Sequence, residues 1–182
     1  MRIRHHASLG LAATACLVLS GCTNAADWNA NRSSQIHSFD TSSIQAQPDI
    51  IAKLPQGALE DGVLDVAAST DYAPAEFLDP SGTAVGYDVD LTNAIAAVLG
   101  VKGKVHTAEF DSIIASIGSK YDAGISSFTV TPERTAEVDM TAYINVGSRF
   151  NVQAGNPKDV ETSDHLKLCG RTIGVQVGTA QE

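Results

Sequence analysis

The chain has 182 residues, of which 43% are hydrophobic and 18% charged, and its formal net charge is −9. This composition supports a buried core and excludes wholesale disorder. The acidic charge, with no run of lysines or arginines, argues against a nucleic-acid-binding protein, because phosphate binding needs clustered positive charge.

The first 22 residues have the pattern of an export signal. Arg2 and Arg4 form a basic start, and an apolar run follows from Leu9 to Leu19. A helix of that length rises only about 16 Å, whereas a hydrocarbon core is about 30 Å thick. The run ends in Leu19-Ser20-Gly21-Cys22, which resembles a bacterial lipobox. We therefore predict a signal peptide followed by a lipid-carrying Cys22, the alternative being an ordinary signal peptide with an incidental cysteine.

The three cysteines of the chain are predicted to have different fates. Cys16 leaves with the signal, and Cys22 carries the lipid that holds the mature protein on the outer face of the cell membrane without spanning it. Cys169 then remains alone in an oxidising compartment. We predict that it forms a disulfide with a cysteine beyond residue 182, the alternative being a buried free thiol.

Residues 23–59 are predicted to form a flexible tether, because Asn, Ser, Ala, Gln and Thr dominate the segment without a sustained apolar period. Within it, Pro48 to Leu54 predicts one short helical segment, with Pro48 at the first helical position.

The ordered part begins near Gly62 as an alternation of strands and helices. Its predicted elements are a buried strand at Val63–Ala68, a turn at Asp79–Gly82, a helix from Val89 to Leu99 with Asp88 as N-cap and Gly100 as C-cap, a strand at Val101–Thr107, a helix at Phe110–Ile117, a strand at Tyr121–Ser126, and a short helix opened by Thr131 and Pro132. This order predicts an α/β layer with a largely parallel sheet.

The last part of the chain predicts the start of a second unit. Tyr143 to Ala154 is expected to be extended and to cross to another lobe, Ile173 to Val177 to form a strand, and Gly178 to Gln181 to open a helix. A strand that enters a helix at the last residue predicts an unfinished domain, so we expect a C-terminally truncated chain.

Two loops that follow predicted strands carry the candidate chemistry, since ligands of open α/β sheets bind at the carboxyl ends of strands. In the loop that opens the short helix, the hydroxyls of Ser127 and Thr129 and the guanidinium of Arg134 are the donors that a carboxylate needs. The alternative is a surface arginine paired with Glu133 or Glu137. In the loop after the first strand, Tyr72 predicts an aromatic wall over a ligand, the alternative being a core aromatic.

Five segments in this order resemble the family 3 extracellular solute-binding proteins, which are the polar amino acid receptors of ABC importers. The segments are Tyr72–Phe77, Gly86–Leu91, Phe110–Ile114, Tyr121–Ser127 and Thr131–Arg134. The resemblance extends from about residue 60 to residue 182. It implies a two-lobed α/β receptor of the type II periplasmic-binding-protein class that closes on its ligand around a hinge. It also implies that residues 60–147 form an essentially complete lobe 1, and that residues 148–182 hold the hinge crossing and the beginning of lobe 2.

The same resemblance implies the ligand contacts in lobe 1. It places the aromatic that stacks on the ligand at Tyr72, and the serines that hold its α-carboxylate and α-amine at Ser126 and Ser127. Thr129 adds a further hydroxyl, and Arg134 grips the α-carboxylate.

In lobe 2 the resemblance implies a helix start at Gly178, Thr179 and Ala180 that meets the same carboxylate, as a helix N-terminus favours an anion. Ser69, which is also expected to contact the ligand, stands where relatives that take basic ligands often have Asp, so a cationic ligand side chain has less to pair with. Ala75 stands where many relatives have a bulky apolar residue, which leaves that wall of the pocket more open.

Together these features predict a lipid-anchored, monomeric receptor that binds a small polar amino acid and delivers it to the permease of an ABC importer, without a metal or cofactor. One alternative is the extracellular sensing domain of a signalling protein. A less favoured one is a periplasmic dehydratase-like enzyme on the same fold. No nucleophile has an adjacent base in the sequence, and His106 and His165 lack partners at metal-ligand spacing, which favours a binding protein over an enzyme.

Overall fold

A computed structural model of the protein describes residues 38–182, so the predicted signal, Cys22 and the first part of the tether lie outside the described residues. In chain order the elements are α1 (Pro48–Ile51), β1 (Val63–Ala68), β2 (Asp71–Tyr72), β3 (Glu76–Leu78), β4 (Ala84–Val85), α2 (Tyr87–Leu99), β5 (Lys102–Thr107), α3 (Phe110–Ser116), β6 (Ala123–Gly124), α4 (Pro132–Thr135) and a 3₁₀ helix (His165–Leu168). Within this part of the chain, no helix has the length and apolar character that crossing a membrane requires.

The central sheet is parallel and has the strand order β5-β1-β6. Its middle strand β1 is an almost continuous apolar run because neighbouring strands and helices cover it on all sides. Successive side chains of a strand point to opposite faces. Accordingly Val66 packs with Ala96 of α2, while Ala67 packs with Ile113 of α3. The predicted α/β class with a largely parallel sheet is confirmed.

A second, antiparallel sheet of order β2-β3-β4 follows the carboxyl end of β1. Its register pairs Tyr72 with Glu76 and Phe77 with Val85. The predicted turn at Asp79–Gly82 connects β3 to β4, where the carboxylate of Asp79 accepts hydrogen bonds from the backbone N–H groups of Ser81 and Thr83. This small sheet carries Tyr72 and Glu76 to the edge where β1 ends.

The start of helix α2 corrects one prediction. The N-cap residue is Gly86, with φ of 125° and no side-chain cap, whereas Asp88 lies inside the first turn with its side chain fully buried. The N–H of Asp88 donates to the carbonyl of Ala75 at 2.9 Å, and a Cβ at Gly86 would lie only 2.7 Å from the carbonyl carbon of Ala75. The prediction of Asp88 as N-cap was wrong, because this close approach requires glycine at the cap and turns Asp88 inward.

Other helix boundaries agree with the sequence patterns. Gly100 ends α2 in the left-handed conformation with φ of 71°, and the hydroxyl of Thr131 accepts from the N–H of Arg134 at the start of α4. Pro48 begins α1, and the N–H of Gln47 before it donates to the carbonyl of Val98 at 2.8 Å. This portion of the predicted tether therefore contacts α2.

From residue 136 to residue 182 the structure contains no strand, and its one helix is the 3₁₀ turn. The predicted strand at 173–177 and the predicted helix start at 178–181 were wrong, since the former is unpaired and the latter forms turns. A strand needs a partner for its backbone N–H and C=O groups, and no other described segment provides one. The apolar side chains of Val146, Phe150 and Val177 consequently remain exposed.

We predict that Gly86→Ala lowers the free energy of unfolding by about 2–4 kcal/mol, because it combines an unfavourable positive φ with an overlap against the backbone of Ala75. Chemical denaturation of the full-length protein measures the effect. Gly82→Ala is the matched control, since Gly82 has φ of 82° and nothing within 4 Å of an added Cβ. That variant should lose only about 1 kcal/mol, and equal losses at the two sites would contradict the role of the close approach.

Candidate functional site

The loops at the carboxyl edge of the parallel sheet enclose a cavity of about 460 Å³. Its size is that of a small-molecule site. Of the nine residues predicted to contact a ligand, the cavity is lined by eight, namely Ser69, Tyr72, Ser126, Ser127, Thr129, Arg134, Thr179 and Ala180. The ninth, Gly178, accepts a hydrogen bond through its carbonyl from Nη2 of Arg134 at 2.7 Å. The structure thus brings all nine together, although 178–180 form a turn in place of the expected helix start.

The parallel pairing of β1 and β6 explains how two of the predicted serines meet. Ser69 directly follows β1, Ser126 follows β6, and parallel strands present their carboxyl ends at one edge of a sheet. The N–H of Ser69 donates to Oγ of Ser126 at 3.0 Å, and both residues are buried. The two loops are therefore fixed to each other at the floor of the cavity.

The two adjacent serines differ in what they can offer a ligand. Ser126 uses its hydroxyl proton to donate to Oε1 of Glu76 at 2.6 Å. Ser127 has φ of 50°, and its buried Oγ has no hydrogen-bond partner within residues 38–182. A buried hydroxyl without a partner costs free energy. Ser127 thus provides a donor of the cavity wall that the hydroxyls of Tyr87 and Tyr143 approach without completing a hydrogen bond.

Arg134 is held in a defined orientation at the rim of the cavity. Its Nη1 donates to the carbonyl of Thr129 at 2.7 Å, opposite the bond from Nη2 to Gly178. The guanidinium lies 5.7 Å from the ring centre of Phe110 and 5.3 Å from that of Phe128, and the two rings stack on each other. No carboxylate in the described chain pairs with it, so the alternative pairing with Glu133 or Glu137 is absent there. The guanidinium charge is oriented by carbonyls and aromatic faces without being neutralised by an acid.

Tyr72 lies in strand β2, and 55% of its surface is exposed. The alternative of a core aromatic does not describe this residue. Its ring lines the cavity and is available to cover a ligand.

Sequence reasoning did not select the acidic side of the cavity. Asp71 and Glu76 both line it, and Oδ1 of Asp71 accepts from the hydroxyl of Ser69 at 3.0 Å. Gln176 also reaches Ser69, with its Nε2 donating to the same hydroxyl oxygen at 3.3 Å. Their positions in the sequence could have indicated them, since Asp71 directly precedes Tyr72 and Glu76 lies within the segment Tyr72–Phe77.

Two buried carboxyl groups meet beneath the cavity floor. Glu76 and Asp88 are both 0% exposed. Burial raises the pKa of Glu76 to about 8, and Asp88 adds to that rise through a side-chain hydrogen bond and its charge. Burial likewise raises the pKa of Asp88, although the hydroxyl of Tyr143 donates to its Oδ2 at 2.8 Å and opposes the rise. No motif placed this pair, because it joins residues of different elements.

Metal-binding and redox features are sparse in the described part of the chain. Residues 38–182 contain no group of three or more His, Cys, Asp or Glu side chains that could hold a metal ion. His106 of β5 bonds to the carboxylate of Asp65 on the neighbouring strand β1, away from the cavity. Within residues 38–182 Cys169 is exposed and forms no disulfide, so the alternative of a buried thiol was wrong, while its disulfide with a residue beyond 182 stays a prediction.

Comparison with known proteins shows that the chain is similar to bacterial solute-binding proteins. The model of the bacterial extracellular solute-binding proteins, family 3, matches residues 64–173. The arginine-binding protein ArgT of Corynebacterium glutamicum is 31% identical over 97% of this chain and 55% of its own length. The L-cystine-binding protein TcyJ of Escherichia coli K12 is 33% identical over 68% of this chain and 46% of its own length. The chain thus spans about half the length of the curated relatives it matches.

Among solved structures, an ancestral arginine-binding protein bound to arginine is 42% identical over the aligned part, which covers 43% of this chain and 35% of that protein, with a TM-score of 0.42.

We predict that Ser126→Ala lowers the free energy of unfolding by about 1–3 kcal/mol, because it leaves Glu76 without a buried donor and the N–H of Ser69 without an acceptor. Ser127→Ala is the neighbouring control, since its hydroxyl has no partner to lose. We expect that control to change the free energy of unfolding by less than about 0.5 kcal/mol. Urea denaturation of both variants decides the matter, and a larger loss in Ser127→Ala would refute the assigned hydrogen bonds.

Proposed function

The chain belongs to the bacterial extracellular solute-binding proteins of family 3, and we propose that it is the receptor that delivers a small amino acid to the permease of an ABC importer. In this proposal the protein is exported, anchored by lipid at Cys22 and monomeric. Residues 60–147 act as lobe 1, and residues 148–182 provide the crossing and the beginning of lobe 2. The relatives are named as binding proteins, and we assign no catalytic step.

The observation that carries the proposal is the separation of opposite charges across one cavity. Arg134 brings an oriented guanidinium without an acidic partner, whereas Asp71 brings a carboxylate to the opposite loop. An amino acid with a basic side chain carries a carboxylate at one end and a positive charge at the other. The cavity offers Arg134, with Arg149 also in its lining, to the former and the carboxylate of Asp71 to the latter, and so complements such a ligand.

The carboxylate end of the ligand is assigned to Arg134. A guanidinium presents parallel N–H donors that match the two oxygens of a carboxylate. Ser127 supports this assignment with its uncommitted hydroxyl, and Thr129 adds a further one. The turn at 178–180 contacts the same guanidinium through the carbonyl of Gly178, so we retain Gly178, Thr179 and Ala180 as contacts at this end.

The side chain of the ligand is proposed to be cationic. The sequence placed Ser69 where relatives that bind basic ligands often have Asp, which argued against a cation. In the fold, however, the hydroxyl of Ser69 donates to Asp71, and that carboxylate lines the cavity beside it. Asp71 thus supplies a negative charge from two positions later in the chain. The names of several relatives, which include arginine-binding and lysine/arginine/ornithine-binding proteins, support the same class of ligand.

We predict that the full-length protein without its first 22 residues is stabilised by arginine or lysine in a thermal-shift panel of the twenty L-amino acids. A ligand at about 100 times its dissociation constant adds about 2.7 kcal/mol of stability, which gives a clear shift. Neutral polar amino acids should produce smaller shifts. If only neutral amino acids stabilised the protein, the cationic assignment would fail while the receptor proposal stood. If no amino acid stabilised it, the receptor proposal itself would fail.

We predict that Arg134→Ala weakens the binding of that amino acid by about 1.5–3 kcal/mol, the range of a charged hydrogen bond, as measured by calorimetry. Arg171→Ala is the matched control, because Arg171 also donates to a backbone carbonyl, that of Lys158, but lies outside the cavity.

The substitution Asp71→Asn tests the negative side of the cavity separately from Arg134. It should reduce the affinity for arginine more than the affinity for a neutral amino acid of similar length, and equal losses would remove Asp71 from the site.

A further inference from the structure

The burial of two carboxyl groups side by side follows from the same close backbone approach that requires Gly86. The N–H groups of Tyr87 and Asp88 donate to the carbonyls of Pro74 and Ala75 at 3.3 Å and 2.9 Å. These bonds fix the first turn of α2 against the segment that leads into β3. The next residue of that segment is Glu76, so its side chain enters the same enclosed space as the side chain of Asp88.

Each carboxyl group has one oxygen with an evident partner and one without. Oε1 of Glu76 accepts from Ser126, and Oδ2 of Asp88 accepts from Tyr143. The remaining atoms, Oε2 of Glu76 and Oδ1 of Asp88, are buried without another hydrogen-bond partner in the described chain. The two carboxyl groups interact with each other, and this interaction contributes to the raised pKa of Glu76. A proton between these two oxygens would satisfy both.

No positive group in the described part of the chain compensates the two acids. Within residues 38–182 the ion pairs are His106 with Asp65 and Lys167 with Glu161, and neither involves this pair. The titratable groups around the pair are themselves acids or phenols, namely Asp71 of β2, Tyr87 of α2 and Tyr143. Two adjacent buried carboxylates without a cation would repel each other in a poorly solvated space. At neutral pH at most one of the two groups is therefore ionised.

We propose that Glu76 and Asp88 share one proton, held between Oε2 of Glu76 and Oδ1 of Asp88, and that the shared-proton pair positions the hydroxyl of Ser126 in the ligand cavity. The positioning role rests on the proposed function of the cavity, whereas the sharing of the proton does not. The pair acts on the ligand only through Ser126.

The positioning role follows from the hydrogen bonds of Ser126. Its one proton is donated to Glu76, and the N–H of Ser69 occupies one of its lone pairs. The remaining lone pair is then an acceptor, which suits an ammonium or guanidinium of the ligand and not a carboxylate. On its other side, the pair holds Tyr143, where the extended segment toward residue 154 begins. The shared-proton pair thus connects Ser126 at the cavity floor, through hydrogen bonds, to Tyr143 at the start of the predicted crossing.

The sign of the pH dependence follows from the raised pKa values. Glu76 has an unfolded pKa of 4.5, whereas burial raises its folded pKa to about 8. The folded protein therefore binds more protons between these values, and its stability falls as pH rises from about 4.5 to about 8. Exposed carboxylates whose pKa is lowered by hydrogen bonds, such as Asp79 bonded to Ser81, destabilise the fold only at more acidic pH. From pH 5 to pH 8 such exposed carboxylates stay ionised, and the difference between the parent and the amide variants separates the pair from the histidines, which the variants keep.

The test of proton sharing is urea unfolding of the full-length protein without its first 22 residues, without ligand, at pH values from 5 to 9. The unfolding equilibrium constant of the parent should rise by up to about tenfold per pH unit between pH 5 and pH 8. In Glu76→Gln and in Asp88→Asn an amide N–H replaces the shared proton. Each variant should match the parent within about threefold at pH 5 and should be the more stable protein at pH 8.

The control for surface charge is Glu137→Gln, an exposed residue outside the cavity, which should keep the slope of the parent. A parent profile that is flat from pH 5 to pH 8 would overturn the proposal, even if both amide variants failed to fold. Amide variants that are already much more stable than the parent at pH 5 would also overturn it, because both carboxyls would then be ionised in the parent. Infrared difference spectra supply a direct signature, since the parent at pH 7 should show the carbonyl band of a protonated acid that Glu76→Gln lacks.

The test of positioning compares ligand affinity in two variants of Glu76. Glu76→Met keeps the length of the side chain but removes the acceptor for Ser126, whereas Glu76→Gln keeps an acceptor. Calorimetry with arginine should show that Glu76→Gln binds at least tenfold more tightly than Glu76→Met. Equal affinities would reject the positioning role. If the parent bound no amino acid, the proposed function and the positioning role would fail together, while the unfolding profiles would still decide whether the proton is shared.

Discussion

The cavity depends on the contact between two backbone segments, the first turn of α2 and the loop that enters β3. Backbone N–H groups of the helix start donate to the carbonyls of Pro74 and Ala75, at a separation that leaves no room for a side chain at Gly86. This contact sets the position of the small antiparallel sheet against the parallel one. It therefore fixes Tyr72 over the cavity and Glu76 at its floor, and it places Asp88 between the carboxyl of Glu76 and the hydroxyl of Tyr143.

The electrostatics of the site follow from the same arrangement. Arg134 keeps its charge uncompensated because carbonyls and aromatic faces, which carry no net charge, hold its guanidinium. The acidic side of the site has two carboxyl groups, of which Asp71 is open to the cavity and Glu76 is buried at its floor. If Glu76 carried a full charge, the cavity floor would be strongly negative and poorly solvated. With Glu76 neutral, Asp71 remains the exposed carboxylate of a cavity that Arg134 and Arg149 also line, which suits a ligand that carries both a carboxylate and a positive group.

Local patterns in the sequence were sufficient for the central elements. The apolar run of β1 and the left-handed glycine at the end of α2 are properties of a few neighbouring residues, and both were predicted. Asp88 was misassigned as a cap because its environment comes from Ala75, which is distant in sequence. The expected strand at 173–177 failed for a related reason, since a strand exists only with a partner. Ser69 and Ser126 meet at one cavity because the parallel strands before them end at one edge of the sheet, a rule that sequence order alone can apply.

The acidic side of the cavity shows what sequence position cannot decide. Reading along the chain, the absence of an acid at Ser69 argued that a cationic ligand would have little to pair with. In the fold, Ser69 is buried just before the chain turns into β2, and its hydroxyl accepts from Gln176 while donating to Asp71. A hydrogen bond from Ser69, the residue at the position where many relatives have an acid, thus holds the carboxylate of Asp71 at the cavity. The charge that such a site selects therefore depends on the whole loop and not on one position. A turn brings the side chains of Ser69 and Asp71, two positions apart in the chain, to the same wall of the cavity.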